Sequence, residues 1–126
     1  MTLTTFFQLQ NRAFQGQVPG TAAALTAWHA LGSAAIAVVN NTTPVSQALP
    51  NSLSLTIGNN TSGSVGFSNE GFWGIGVTEG VTYNASFYAK LPSGSSFAAR
   101  DTLTVQLLSA SGESLATATV QGLFEE

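Results

Sequence analysis

Cysteine is absent from this chain of 126 residues. No disulfide, thiolate metal site or cysteine nucleophile is therefore open to it. The fold must rest on its core, and a chain of this length buries roughly two-thirds of its unfolded surface. Charge is nearly as scarce, at 7% of residues, against about 25% in ordinary soluble domains. Solubility falls instead to Ser, Thr, Asn and Gln. Arg12, Lys90 and Arg100 are the only Lys or Arg residues, and the net charge is −3. A phosphate-binding surface needs clustered Lys and Arg, so the composition argues against nucleic acid and against an anionic membrane as partners. No window holds the roughly 18 apolar residues of a membrane span; the longest apolar stretch is Ala34 to Val39. The N-terminus lacks a basic region followed by an apolar core and does not read as a signal peptide. Asn40, Asn41, Asn59, Asn60 and Asn84 satisfy the Asn-x-Ser/Thr pattern, which is compatible with an extracellular protein.

What is present is a series of short alternating segments broken by Gly, Pro and Asn. Leu3–Gln10 reads as a strand, although a short helix also fits it. Asn11–Gly16 is turn-like, and Thr21–Ala24 is a linking turn or short helix. Ala34–Asn40 is β-branched and buried in character. Leu53, Leu55 and Ile57 alternate with Ser54 and Thr56, and Val65 and Phe67 form one face of a short strand. Asn69–Lys90 joins a glycine-rich aromatic stretch, Gly71-Phe72-Trp73-Gly74, to the clearest alternator, Thr82–Leu91. There Asn84, Ser86, Tyr88 and Lys90 share one face, and Tyr83, Ala85, Phe87 and Ala89 the other. Thr102–Ser109 and Ser114–Val120 flank a hairpin turn at Ser111-Gly112. About eight short strands without an amphipathic helix predict an all-β fold, an antiparallel jelly-roll β-sandwich formed as a single domain over 1–126.

Several stretches, NRAFQG (Asn11–Gly16), AWHALGSAAIAV (Ala27–Val38), ALPNSL (Ala48–Leu53), GFSNEGFWGIGV (Gly66–Val77) and YNASFYAK (Tyr83–Lys90), together resemble the fungal α-L-arabinofuranosidases of glycoside hydrolase family 51. The resemblance implies a β-sandwich module like carbohydrate-binding modules of families 4 and 9, which in that family is inserted near the start of a catalytic barrel. It also implies that residues 1–16 and 121–126 are remnants of, or links to, a missing barrel that would carry the catalytic carboxylates. The apolar side chains of Phe6, Phe7, Leu9 and Phe14 then need cover from this domain or from a second copy, and an edge strand over Leu3–Gln10 would serve a homodimer.

The residues themselves point to binding rather than catalysis. Glycoside hydrolysis needs two carboxylates held across one sugar, and the six acids read as solvated loop residues. His29 has no nucleophile elbow to serve, and a zinc site needs more ligands than one His supplies. A sugar presents apolar C–H faces and a rim of hydroxyls, which exposed aromatics and polar side chains can meet. The outward row Asn84, Tyr88 and Lys90, extended by Trp73, Glu70 and Arg100, has that chemistry. Asn69, Glu70 and Asp101 offer oxygens to a structural calcium, though without the density of an EF-hand loop; otherwise no cofactor is expected. The expectation is a secreted, fungal-type, lectin-like module for plant or fungal polysaccharide. The alternative is a secreted dimeric immunomodulatory or cell-surface-binding protein that acts through protein contacts and has lost sugar binding.

Overall fold

Alternation makes strands only where a second strand is available to pair, and among the described residues that condition holds three times. The computed structural model describes residues 9–58, 63–72, 74–91 and 102–121. Most of Leu3–Gln10, with its proposed dimer edge, lies outside these residues, as do Trp73, Arg100 and Asp101. The chain divides into two compact units, Met1–Asn84 and Ala85–Glu126.

The first unit holds β1 (Trp28–Leu31), β2 (Ala35–Asn40), β3 (Asn51–Thr56) and β4 (Gly66–Asn69). β1 pairs with β4 and β2 with β3, both antiparallel. The Ala-rich run before β1 becomes a single 3-10 turn, Ala22–Leu25. Thr21 opens it: the Ala24 amide donates both to the Thr21 carbonyl, at 3.2 Å, and to the Thr21 hydroxyl, at 3.3 Å. The β-branched residues of β2 and the leucines of β3 meet across the ladder, with Val38 opposite Leu53. Val38 is almost wholly buried and forms a small core with Phe14 and Ala24. Leu25, Trp28 and Leu53 pack against that core.

Phe14 supplies the largest ring of the buried set. It is 5% exposed, and its ring lies 5.5 Å from that of Trp28. Trp28 continues the stack to Phe67 at 5.6 Å. The cover that Phe14 requires therefore comes from its own unit. Three asparagines and a tryptophan hold the segment around it. Asn11 donates to the carbonyls of Ala24 and Thr26, and Asn51 donates to those of Phe14 and Gln17. Asn69 donates to Gln10, and the Trp28 indole donates to Asn11. Amides that reach back into loop backbone are how irregular chain keeps its half-buried carbonyls satisfied. Residues 10–17 form a strap fastened along its length.

In the second unit, β5 (Thr102–Leu108) and β6 (Ser114–Gln121) form an antiparallel hairpin with a register irregularity at Leu107/Leu108. The expected turn is in place: the Ser109 amide donates to Glu113 at 2.8 Å and the Gly112 amide to Ser109 at 3.0 Å. Leu103 and Leu107 are half-buried, whereas Val105 is exposed.

The fold class is all-β and antiparallel, consistent with a β-sandwich. Six strands lie among the described residues, rather than about eight. The main correction is Thr82–Leu91. This clearest of alternators is not a strand, because it forms no ladder with any described strand. Lacking a described partner strand, Ala85, Phe87 and Ala89 are exposed, and alternation does not sort the segment into an inner and an outer face. Phe72 lies in a turn, and Gly74 makes only an isolated bridge to Gly71.

Candidate functional site

The end of β4 leads directly into a tight glycine turn. Trp28 stands opposite Asn69 in the ladder, and the Glu70 amide extends the pairing by donating to Ala27 at 3.1 Å. Asn69 then turns the chain. Its side-chain amide donates to the Gln10 carbonyl, and its side-chain oxygen accepts from the Gly71 amide at 2.9 Å. The Gly74 amide returns to the Glu70 carbonyl at 3.1 Å. One asparagine thus fixes both the strap and the turn.

Gly71 has φ +67°, and a Cβ there would stand 2.8 Å from Ile75 Cγ1 and 2.9 Å from the Gly74 carbonyl oxygen. The left-handed backbone and the close approach both demand glycine. Gly71→Ala should lower stability by about 1–3 kcal/mol and displace the turn. Thermal unfolding followed by circular dichroism checks this, and an unchanged midpoint would contradict the packing described.

Gln10, Glu70, Gly71, Phe72 and Gly74 line an open hollow of about 440 Å³, within the roughly 300–1,000 Å³ of small-ligand clefts. Phe72 is 51% exposed and offers an apolar ring at the surface. Glu70 lies beside it, with Oε2 3.1 Å from His29 Nε2. Their side chains are 62% and 56% exposed, so the pair adds at most about 1 kcal/mol to stability. Its effect is positional. An ionised carboxylate only accepts, so the imidazole donates through Nε2–H in this contact. Two carboxylate oxygens in a hollow beside an exposed ring can accept from sugar hydroxyls while the ring meets a C–H face.

The described residues expected from the sequence fall in both units. Glu70 lines the hollow. Asn84 is exposed at the end of the first unit, and Tyr88, 86% exposed, and Lys90 belong to the second. Trp73 and Arg100 lie outside the described residues. Among the described residues, no group of three or more His, Cys, Asp or Glu is gathered as for a metal ion. Of the oxygens considered for calcium, that of Asn69 holds the Gly71 amide, the Glu70 carboxylate meets His29, and Asp101 is outside the described residues. Sequence reasoning missed Gln10, the surface position of Phe72 and the His29–Glu70 pair. The pair depends on a β1–β4 register that no local pattern encodes.

No protein-family model matches the chain. Over 82 residues, 65% of this chain, it is 44% identical to the probable α-L-arabinofuranosidase A of Aspergillus terreus and 42% identical to the α-L-arabinofuranosidase A of Aspergillus niger. It spans only 12% of the length of either relative. A solved structure, that of the arabinose-bound MgGH51 α-L-arabinofuranosidase, superimposes with a TM-score of 0.70 and 36% identity over 95% of this chain and 19% of that one. The chain is thus homologous, over most of its length, to a small segment of fungal α-L-arabinofuranosidases.

Proposed function

We propose that this chain is a non-catalytic glycan-binding module for plant or fungal polysaccharide, with the Glu70–Phe72 hollow as its binding surface. The observation that carries this reading is the pairing of an exposed Phe72 ring with the Glu70 carboxylate on a turn already fixed by Asn69 and Gly71. Such preorganisation lowers the ordering cost that limits weak sugar binding. Homology to a segment of carbohydrate-active enzymes supports a carbohydrate ligand. A binding role is supported by the share of those enzymes that is matched, 12% and 19%, and by Glu70 having His29 rather than a second carboxylate as its hydrogen-bond partner. Polymeric glycans are met outside the cell, so the reading includes an extracellular location.

A glycan array carrying arabinan, arabinoxylan, β-glucan and animal-type glycans tests the reading. Binding to a plant or fungal polymer is expected, and Glu70→Gln or Phe72→Ala should weaken it by about tenfold, the equivalent of one lost contact. Tyr88→Ala serves as the comparison on the second unit. Folded protein that binds no glycan at millimolar sugar would reject the reading in favour of protein contacts.

A further inference from the structure

A second hollow, of about 360 Å³, is lined by the strap itself and Thr26. It shares Gln10 with the Glu70–Phe72 hollow. The two differ in charge. Glu70 lines the first, whereas the described lining of the second includes Arg12 and no carboxylate. Arg12 is exposed and forms no ion pair with any described residue. In a chain of net charge −3 with three Lys and Arg residues in all, one of those cations thus stands in a hollow whose other described lining residues offer amides, a hydroxyl and apolar groups.

The backbone holds it there. Asn11 and Phe14 on either side have φ +55° and +52°, a left-handed conformation that is uncommon for non-glycine residues and costly for a bulky one. The amides of Asn11 and Asn51, the Trp28 indole and the buried Phe14 ring fasten the strap from below. The short segment carrying Arg12 therefore has little freedom to turn away, and its guanidinium is offered on a fixed base. A guanidinium matches a planar carboxylate with two parallel hydrogen bonds. The neighbouring Gln10, Gln17 and Thr26 can meet hydroxyls. A single cation cannot track a phosphate backbone.

We infer that the strap hollow is a subsite for a uronic acid carried on the glycan, with Arg12 reading its carboxylate. This rests on the glycan-binding reading above and specifies the class of polysaccharide, one bearing acidic substituents. The test is titration calorimetry of the whole chain with three oligosaccharides sharing one backbone: unsubstituted, substituted with glucuronic acid, and substituted with its methyl ester. Free glucuronate is a fourth ligand. The acid should bind about fivefold tighter than the ester at low salt, the scale of an exposed ion pair, and high salt should shrink the difference. Arg12→Gln should abolish the acid-to-ester preference, and Arg12→Lys should keep part of it, since an ammonium retains the charge without the fork. Circular dichroism confirms that both variants fold.

Equal binding of acid and ester, or a preference that survives in Arg12→Gln, would overturn the inference while leaving the module a glycan binder. Free glucuronate binding as tightly as the acidic oligosaccharide would also overturn it, by marking a small-anion site. Failure of all the ligands to bind would overturn both readings.

Discussion

Phe14→Ala should lower the stability of the first unit by about 3–5 kcal/mol, the range for deleting a buried phenylalanine ring. The reason lies in how little else is buried. Phe14, Ala24, Ala27 and Val38 are the buried hydrophobic residues among those described, and the ring also carries the stack onto Trp28 and Phe67. Domains of this size have only about 5–15 kcal/mol in total, so much of the unit's margin disappears with one side chain. The damage should spread locally. The Phe14 carbonyl receives the Asn51 amide, and a strap that no longer seats its ring cannot keep that geometry. Urea unfolding monitored by tryptophan fluorescence measures the change. A loss below about 0.5 kcal/mol, the mutational scale of a surface site, would mean that the strap does not complete the core.

Gly32→Ala is the second large effect. Gly32 joins β1 to β2 at φ +65°, and a Cβ there would stand 2.6 Å from the backbone oxygen of Ser64. That oxygen belongs to main chain just before β4, so no flexible side chain can move aside. Relief requires shifting either the β1–β2 connection or the approach to the β1–β4 ladder. With the left-handed conformation and the clash combined, we expect about 2–4 kcal/mol of destabilisation. Because Trp28 stands opposite Asn69 at the far end of the same ladder, the shift should also loosen the Asn69 turn. Native-state hydrogen exchange would show this as faster exchange at Glu70 and Gly71. Protection equal to the parent protein would contradict the coupling.

Much of the fold could be read in advance where pattern and partner coincide. The β-branched run of β2, the leucine alternation of β3 and the Ser-Gly turn between β5 and β6 are local signals that long-range pairing then honoured. Thr82–Leu91 had a stronger alternation than any of these and is not a strand, because periodicity describes a surface and not the presence of a neighbour. Phe14 was legible as a large apolar residue needing cover. Its destination was not, because it is reached through left-handed turns and side-chain amides that carry no periodic signal. The site divides in the same way. Glu70 and the glycine turn could be named from residues 69–74. Gln10 and His29 reach that turn only through contacts between residues about 40 to 60 positions apart, set by strand register and by the strap.

The most direct test of the glycan-binding reading is an amide NMR titration of the intact chain with an arabinoxylan-derived oligosaccharide. Saturable shifts should concentrate at Gln10, Glu70, Gly71, Phe72 and Gly74. A spectrum unchanged at millimolar sugar, or shifts confined to the β5–β6 hairpin, would contradict it.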